Sequence, residues 1–443
     1  MKILFISLGC DKNTVDTEMM LGILTKRGYE ITDSEDDADA AVINTCCFIG
    51  DAKQESIDNI LQLTALKQEG KLKAVVVTGC LGQRYSEDIH KEIPQVDAIL
   101  GISSWDKIAD TLDKLLVKEE KSEDVLGDIQ SPALCGYDRM LTTSGHSAYL
   151  KIAEGCSKRC TYCVIPYIRG NYRSVPIETL IEDARRLAIK GVKELILVAQ
   201  ETTLYGTDIY GKKSLPRLLK ELAKIDDIKW IRILYCYPEE ITDELIETIK
   251  TEPKVCHYLD MPIQHASDEI LKKMARKTTR AEITQRIQKL REEIPDIALR
   301  TTLITGFPGE TGEDHRQMLE FVKEIRFDRL GVFTYSREEG TAAAEMSRQL
   351  PELIKRLRRN KVMKIQQQIA FETASNVAGS KLEVMIEGKL VEEGVYVGRT
   401  YKDAPGVDGE VFVSCDRELM SGDIVKVLVT GSREYDLVGE VIE

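Results

Sequence analysis

The stretch from Cys156 to Cys163 reads CSKRCTYC and contains three cysteines within eight residues. It lies in a loop after a predicted strand, Ala148–Ala153, so its thiols can turn toward one another. A tetrahedral zinc site would need a fourth ligand of the right type, and this loop offers no obvious one. Three thiolates suit a 4Fe-4S cluster with one iron left open. The spacing therefore predicts a metal cluster rather than incidental buried cysteines.

Around this loop, residues 148–350 contain six runs that predict β-strands. The predicted strands are Ala148–Ala153, Glu194–Ala199, Trp230–Tyr235, His257–Pro262, Ala298–Thr305 and Arg329–Tyr335. Helical patterns such as Pro176–Ile189 and Leu215–Ala223 separate most of them. Six βα repeats are too few for a closed eight-stranded TIM barrel. This segment therefore predicts an open, partial (βα)6 TIM-type barrel.

Residues 1–117 also alternate short apolar runs with amphipathic stretches. The runs are Lys2–Leu8, Ala40–Thr45, Ala74–Thr78 and Ala98–Leu100. Helical patterns at Val15–Arg27 and Gln54–Gln68 lie between them. Such βα alternation predicts an α/β domain with a parallel, Rossmann-like sheet.

Three more cysteines, Cys10, Cys46 and Cys80, each follow one of these N-terminal strands. In open α/β sheets the ligand crevice lies at the carboxyl ends of the strands. These thiols can therefore meet in space although they are far apart in sequence. The pattern favours a second cluster with a free iron, and the alternative is that these are ordinary buried cysteines.

The composition of the chain excludes several classes of protein. Its 443 residues are enough for about three domains, and its net charge of −13 argues against a broad phosphate-binding surface. The longest run without a charged residue, Ala40–Gly50, is 11 residues long, whereas a membrane-spanning helix needs about 20. Although Ser7–Cys10 resembles a lipoprotein cleavage box, the apolar stretch before it is too short for a signal peptide. We therefore expect a cytoplasmic protein, in which the 11 cysteines serve metal binding rather than disulfides.

Three further regions complete the chain. Residues 118–147 are polar and predict a linker with a hairpin. Residues 351–375 predict a helix that joins two domains and carries a basic run, which is either a solvated face or a contact site for nucleic acid. The basic residues of that run are Lys355, Arg356, Arg358, Arg359, Lys361 and Lys364. Residues 376–443 contain short Val-rich runs between Gly and Asp turns, which predict a small antiparallel β-barrel.

These residues resemble a known family. The segment Cys156–Cys163, with Tyr162 before its last cysteine, is similar to the radical S-adenosylmethionine superfamily, in which the open iron binds S-adenosylmethionine and the cluster cleaves it to a 5′-deoxyadenosyl radical. Ser7–Asn13 (SLGCDKN), Asn44–Cys46 (NTC) and Thr78–Cys80 (TGC) resemble the methylthiotransferases of that superfamily. The resemblance covers essentially the whole chain, including the C-terminal barrel, known in this family as a TRAM domain.

The resemblance implies two 4Fe-4S clusters, each with three cysteine ligands. Carried over to this chain, the ligands are Cys10, Cys46 and Cys80 for one cluster and Cys156, Cys160 and Cys163 for the other. Cys47 lies beside Cys46, but adjacent side chains on an extended chain point in opposite directions, so only one of them is expected to face the cluster. The family motif selects Cys46.

The resemblance also implies contacts with S-adenosylmethionine, one equivalent of which supplies the methyl group and one the radical. The residues concerned are Tyr162, Gln200, Glu201, Gly306 and Pro308. From the residues alone, the Gly306–Gly309 segment is equally a strand-ending turn. His265 follows a barrel strand and either lines the site or is a structural histidine. The remaining cysteines are expected to be packing residues, namely Cys135, Cys236, Cys256 and Cys415.

Two branches of the family differ in substrate. One methylthiolates an adenosine of transfer RNA, and the other the β-carbon of an aspartate in the twelfth protein of the small ribosomal subunit. A transfer-RNA enzyme should carry a basic C-terminal barrel, but this barrel has fourteen acidic and seven basic residues. That charge favours a basic ribosomal protein, as does the resemblance of Thr400–Val411 to the second branch. Asp11 stands where that branch more often has proline.

The resemblance implies two further partners, a sulfur donor and an electron donor such as flavodoxin or ferredoxin. The basic helix between the last two domains is the main feature that favours transfer RNA. A non-catalytic iron–sulfur protein, such as a redox sensor, is a third hypothesis, and two open-iron clusters beside the Gly306–Glu310 turn argue against it. Cleavage of S-adenosylmethionine would distinguish an enzyme from such a sensor.

Overall fold

The computed structural model describes residues 1–442 and contains 18 strands and 13 α-helices. The strands, β1 to β18, are Lys2–Ser7, Glu30–Thr32, Ala40–Thr45, Ala74–Thr78, Ala98–Leu100, Ser147–Lys151, Ala153–Glu154, Arg173–Ser174, Glu194–Val198, Trp230–Ile233, Val255–Asp260, Ala298–Thr305, Arg329–Thr334, Lys381–Leu390, Val395–Arg399, Val411–Ser414, Ile424–Arg433 and Asp436–Val441. The helices, α1 to α13, are Asp11–Arg27, Gly50–Gln68, Gly79–Glu92, Ile108–Leu112, Ile165–Ile168, Ile177–Ile189, Thr207–Tyr210, Leu215–Ala223, Asp243–Thr251, Asp268–Lys273, Arg280–Glu293, Gly312–Ile325 and Glu352–Ser375.

The N-terminal domain is a five-stranded parallel sheet with the order β2-β1-β3-β4-β5. Every residue of β3 and β4 is buried, because helices cover both faces of a parallel sheet. The predicted parallel domain is confirmed. Strand β2 is not predicted from the sequence, because its three residues contain no apolar pair to mark it.

The central domain is a six-stranded parallel sheet whose order, β6-β9-β10-β11-β12-β13, follows the chain. Its two edge strands, β6 and β13, are not paired with each other, so the barrel is open as predicted. Helix α1 of the N-terminal domain packs against β6, and α13 packs against β13. Tyr235, just after β10, donates a hydrogen bond to Asp11, at the start of α1, so the carboxyl ends of β1 and β10 lie near the interface of the two domains.

The C-terminal domain is a closed barrel of five strands in the order β14-β15-β16-β18-β17. Its ladders are antiparallel except for β16 with β18, which is parallel. The barrel docks on the central sheet through apolar contacts of Met385 with Trp230 and Tyr258. In the part of the chain that the structure describes, no helix is both long and apolar enough to cross a bilayer.

Acidic residues of the barrel also take part in docking. Asp403 pairs with Arg329 of β13, and Asp408 accepts a hydrogen bond of 2.8 Å from the Tyr258 hydroxyl. A second oxygen of Asp408 lies 3.4 Å from Arg300 Nε. The net charge of the barrel, taken from the sequence alone, predicts that these carboxylates are available to a partner. The structure corrects that count, because their charge is already balanced inside the molecule.

One expectation for the connecting regions, a hairpin in the linker, is wrong, and the solvated interpretation of the basic helix holds only in part. Residues 118–146 contain no hairpin, and Val125 instead bridges to Leu100 at the edge of the N-terminal sheet. The basic run of α13 is not wholly solvated, because the Lys355 ammonium donates to the Tyr335 carbonyl at 2.7 Å. Arg358 also turns inward and pairs with Glu310 at 2.8 Å. A continuous basic surface for nucleic acid is therefore reduced by two of its six charges.

Candidate iron–sulfur and cofactor site

The three N-terminal cysteines converge at the carboxyl edge of the first sheet. Cys10 immediately precedes α1, Cys46 follows β3, and Cys80 lies in the first turn of α3. Gly9, at a φ of +97°, allows the close approach of Cys46, because a Cβ at that position would lie 2.7 Å from Cys46 Cβ and 3.1 Å from its Sγ. Local backbone geometry thus brings Cys46 beside Cys10.

Gly79 has a similar role for Cys80. Its φ of +90° is the left-handed conformation that glycine adopts without strain. A Cβ at Gly79 would lie 2.4 Å from the Asn44 side-chain oxygen and 2.5 Å from the Thr45 carbonyl. The glycine therefore lets the start of α3 pack directly on the end of β3, which places Cys80 next to Cys46.

The surroundings of these thiols oppose negative charge in the absence of a cation. Burial raises the pKa of Cys46 to about 12, and the neighbouring Cys80 adds to the shift. Burial also raises the pKa of Cys80, although Arg169 opposes that shift. Three thiolates this close repel one another unless a cation binds them, so a positively charged metal cluster fits this donor set. Cys47 is buried in a hydrophobic cluster that also contains Cys80.

The second triplet lies in the loop that follows β7. Backbone N–H groups of Lys158 and Ile165 donate to the Cys156 and Cys163 thiols, each two residues earlier. Burial nevertheless raises the pKa of Cys156 to about 11, and the nearby charge of Cys160 adds to that shift. Hydrogen bonds from backbone amides to sulfur are one of the means by which proteins stabilise iron–sulfur clusters. This loop therefore also fits a cluster.

A single metal ion fits neither triplet. The described residues contain no group of three or more His, Cys, Asp or Glu side chains arranged to hold one metal ion. In a four-iron cluster, each cysteine binds a different iron, which is a different donor arrangement from a mononuclear site.

A buried polar network connects the two triplets. Arg169 donates to Asn13 Oδ1 at 2.6 Å and to Glu154 Oε2 at 2.8 Å, and its guanidinium also adjoins the Cys80 thiol. Glu154 Oε1 in turn accepts from Gln200 Nε2 at 3.2 Å. Burial alone would raise the pKa of Glu154, but Arg169 and Lys151 hold it well below its usual range. The network stays charged and ties the N-terminal site to the mouth of the partial barrel.

A second connection runs through Tyr235, at the end of β10. The Tyr235 hydroxyl donates to Asp11 Oδ1 at 2.9 Å, and the Lys12 ammonium lies 3.5 Å from the centre of its ring. Two residues later, the Tyr237 hydroxyl lies close enough to Cys160 for their charges to interact. Residues beside Cys10 and residues beside Cys160 are therefore joined by one short segment.

Gln200 and Glu201 lie where the sequence predicts contacts with the cofactor, just after β9. Glu201 is fully buried, and its Oε1 accepts a hydrogen bond of 2.9 Å from Thr203 N. Its Oε2 and the Gln200 side-chain oxygen are enclosed without a hydrogen-bond partner among the described residues. Burial raises the pKa of Glu201 to about 8, against the hydrogen bonds from Thr203. These two oxygens therefore have hydrogen-bonding capacity that no described residue uses.

The glycine-rich turn after β12 is built around Glu310, whose carboxylate accepts hydrogen bonds from Gly306 N and Phe307 N. Pro308 is buried in the same turn. Tyr162 packs against the hydrophobic cluster that contains Phe307, so the turn and the cysteine loop are neighbours.

His265 lies behind this turn. Its Nδ1 accepts from Ser267 N at 2.9 Å, and its Nε2 lies 3.8 Å from Glu310 Oε2. These contacts favour the structural interpretation of this histidine over a direct role in the reaction.

Two arginines that adjoin the triplets are not predicted as site residues from the sequence. Arg169 is one, and the other is Arg276, which stacks 4.0 Å from the centre of the Tyr237 ring and is buried beside Tyr162. Each lies many residues from its partners in the chain, so no local motif marks it. A buried position for arginine is visible only in the fold.

Apart from Cys47, the four cysteines outside the triplets pack in or against hydrophobic clusters, as predicted. Cys135 and Cys236 belong to the core of the central domain. Cys256 lies between the central domain and the barrel, and Cys415 packs against the barrel core.

Comparison with known families defines the class of protein. The model described as "Uncharacterized protein family UPF0004" matches residues 2–101, "Radical SAM superfamily" matches residues 150–322, and "TRAM domain" matches residues 378–442. The radical S-adenosylmethionine methyltransferase TsrM from Kitasatospora setae has a TM-score of 0.58 at 16% identity, over 77% of this chain and 76% of its own. The cobalamin-dependent radical enzyme OxsB has a TM-score of 0.52 at 13% identity, over 83% of this chain and 56% of its own. The chain is therefore a radical S-adenosylmethionine enzyme with an added N-terminal domain and a TRAM barrel.

Closer relatives define the family. A protein of Lachnoclostridium phytofermentans named ribosomal protein uS12 methylthiotransferase RimO is 59% identical over 99% of both chains. Proteins of the same name from Geobacter sulfurreducens and Clostridioides difficile are each 49% identical, over 100% of this chain and 98% and 99% of their own. The chain belongs to the RimO family of radical S-adenosylmethionine methylthiotransferases. It is a transferase whose cofactors are 4Fe-4S clusters and S-adenosylmethionine, and these relatives do not favour the transfer-RNA alternative.

Proposed function

We propose that this enzyme methylthiolates the β-carbon of an aspartate in ribosomal protein uS12. The observation that carries the proposal is that the two cysteine triplets lie in neighbouring domains linked by the hydrogen bonds of Tyr235 with Asp11 and of Arg169 with Asn13. The names of the full-length relatives support the choice of substrate. When bound, the two clusters and S-adenosylmethionine supply a carbon-centred radical and a methylated sulfur.

The ligands of the clusters belong to the proposal. The N-terminal cluster would be held by Cys10, Cys46 and Cys80, and the cluster of the central domain by Cys156, Cys160 and Cys163. Burial of these thiols, their mutual proximity and the backbone N–H groups directed at sulfur support this assignment. The preference for Cys46 over Cys47 rests on the contact between Cys46 and Gly9.

The residues around the second triplet would bind S-adenosylmethionine. The unpaired oxygens of Gln200 and Glu201 suit the ammonium group of its methionine moiety. The buried turn at Gly306 and Pro308 would support the adenosine, and Tyr162 would enclose it from the cysteine loop. Together these residues orient the cofactor and exclude water from the radical.

The proposal includes the partners of the reaction. The sulfur donor and the electron donor are both outside this chain. The electron donor would be flavodoxin or ferredoxin. With a ribosomal protein as substrate, the enzyme would work in the cytoplasm. The exposed carboxylates of the barrel would attract the basic substrate over several ångströms, while Asp403 and Asp408 hold the barrel in place.

A pair of anaerobic reactions tests the proposal. Reconstituted enzyme, reductant, sulfide and S-adenosylmethionine are mixed with unmodified uS12 or with unmodified transfer RNA, and the products are analysed by mass spectrometry. We expect a methylthio mass gain on one aspartate peptide and none on transfer RNA. A methylthio adenosine would overturn the proposed substrate. Cleaved cofactor without either product would leave only the radical step supported.

A further inference from the structure

Lys12 is a buried cation that lies beside the N-terminal cysteine triplet and contacts Tyr235 of the central domain. It is the second residue after Cys10, and only 7% of its side chain is exposed. Its ammonium lies 3.2 Å from Asp11 Oδ1 and 3.5 Å from the centre of the Tyr235 ring. An ammonium group has three N–H donors. The ion pair with Asp11 and the contact with the Tyr235 ring leave the ammonium able to donate a hydrogen bond to one further acceptor.

Asp11, the partner of Lys12, is also incompletely satisfied. Its Oδ1 accepts a hydrogen bond of 2.9 Å from the Tyr235 hydroxyl. Its Oδ2 is enclosed and has no hydrogen-bond partner within the described residues 1–442, and 9% of the side chain is exposed. A buried carboxylate oxygen without a donor is costly. The Asp11–Lys12 pair therefore has unused hydrogen-bonding capacity in the ligand-free protein.

The position of the pair is fixed by the central domain. Tyr235 has a left-handed backbone, with a φ of +60°, and its N–H donates to Asp260 Oδ2 at 3.1 Å. Its carbonyl accepts from Thr202 N at 3.1 Å. A non-glycine residue in this conformation is held there by its surroundings. The ring of Tyr235 thus presents a rigid face to Lys12 at the barrel mouth.

We propose that Lys12 binds the side-chain carboxylate of the substrate aspartate, an inference that rests on the proposed function. The carboxyl carbon is bonded directly to the β-carbon, so a fixed carboxylate also fixes the atom that reacts. A charge-assisted hydrogen bond in an enclosed site is strong enough to do this. An adenine ring carries no negative charge, so its ring nitrogens would form weaker hydrogen bonds with Lys12 than a carboxylate would. The residue therefore selects an acidic side chain over a nucleobase.

In this arrangement Asp11 has a second role. Its carboxylate holds the Lys12 ammonium until the substrate arrives and then competes with the substrate carboxylate for it. A neutral, isosteric amide at position 11 would keep an acceptor for the Tyr235 hydroxyl but would compete less. Removal of a purely structural ion pair would weaken the interface of the domains instead.

A double-mutant cycle between enzyme and substrate tests the proposal. Binding is measured by fluorescence anisotropy under anaerobic conditions, without reductant, on enzyme whose iron content confirms both clusters. The enzymes are wild type and Lys12→Met. The ligands are unmodified uS12 and its variant with the target aspartate changed to asparagine. We expect each single change to weaken binding roughly 10- to 100-fold, and the double change to weaken it no further than either alone.

Three variants separate this role from a structural one. Lys12→Arg, which keeps the charge, should retain most of the affinity, and Asp11→Asn should bind unmodified uS12 a few-fold more tightly. Tyr235→Phe loses the hydrogen bond to Asp11 but keeps the ring, and the coupling between Lys12 and the target aspartate should persist in it. Independent, multiplicative losses in the cycle would overturn the role of Lys12, and so would weaker binding by Asp11→Asn.

The two proposals fail in different ways. A wild-type enzyme that forms no methylthio aspartate overturns the proposed function. A wild-type enzyme that forms this product, but shows no coupling between Lys12 and the target aspartate, overturns only the inference about Lys12.

Discussion

The two cysteine triplets have similar surroundings, but different parts of the structure bring their thiols together. Cys156, Cys160 and Cys163 lie in one loop, so the local chain alone brings them together. Cys10, Cys46 and Cys80 come from the ends of three neighbouring strands, and the sheet topology β1-β3-β4 brings them together. The first arrangement is a property of a short segment, whereas the second is a property of a whole domain. Damage to the fold should therefore affect the two sites unequally.

The largest effect is expected from Cys156→Ala. Loss of one of three ligands leaves the cluster of the central domain incomplete, so S-adenosylmethionine should no longer be cleaved reductively. Formation of 5′-deoxyadenosine, measured by liquid chromatography under anaerobic reducing conditions, should fall by at least about a thousandfold, equivalent to roughly 4 kcal/mol. Retention of full cleavage activity would remove Cys156 from the ligand set.

Cys10→Ala should separate the two sites. It removes a ligand of the N-terminal cluster but leaves the cysteine loop of the central domain intact. We expect 5′-deoxyadenosine to form while methylthio aspartate does not. Iron analysis should show about half the wild-type iron per chain. Loss of both products in both variants would argue against a division of labour between the triplets.

A third prediction concerns Glu201, whose environment differs from that of Glu154, the carboxylate that Arg169 links to the N-terminal site. Glu154 is paired with Arg169 and Lys151, whereas burial raises the pKa of Glu201 to about 8. A carboxyl group with a raised pKa destabilises the fold progressively as pH rises from about 4.5 to about 8. Glu201→Gln should therefore stabilise cluster-loaded protein by roughly 3 kcal/mol at pH 7 and very little at pH 4.5.

Thermal unfolding of both proteins between pH 4.5 and 8 tests that difference. The same substitution should weaken binding of S-adenosylmethionine, because the carboxylate would pair with its ammonium group. Equal pH dependence in wild type and variant would show that Glu201 is not held protonated. Unchanged binding of the cofactor would remove Glu201 from the proposed contacts.

The smallest effect is expected from Cys47→Ser, beside a proposed ligand. Cys47 is completely buried in the hydrophobic cluster of the N-terminal domain. The hydroxyl of serine should cost about 1–3 kcal/mol in stability and leave the iron content unchanged. Cys46→Ser is the matched variant and should lose the N-terminal cluster. If Cys47→Ser lost iron and Cys46→Ser did not, Cys47 and not Cys46 would be the ligand.

Most of the fold could be predicted from the sequence because its strands are marked by apolar runs. The six strands of the central domain and the buried strands β3 and β4 agree with prediction within a few residues. The short strand β2 could not be predicted, since its three residues carry no periodicity. The cysteine loop was recognisable from spacing, and the N-terminal triplet required the additional assumption of a parallel sheet.

Contacts between distant residues could not be predicted. Arg169 and Asn13 are 156 positions apart, and no composition or period signals their hydrogen bond. The inward orientation of Lys355 and Arg358 was missed for the same reason, since a basic run on a helix is usually solvated. The net charge of the barrel was counted correctly from the sequence, but its distribution between surface and interface depends on docking.

The buried network between the first two domains also constrains the order of events during synthesis. Three polar residues of α1 have partners later in the chain. Asn13 binds Arg169, Asp16 pairs with Lys151, and Glu18 pairs with Arg139. A nascent chain that ends before residue 169 lacks the arginine that binds Asn13 and adjoins the Cys80 thiol. The N-terminal site is therefore completed only after the second triplet has left the ribosome.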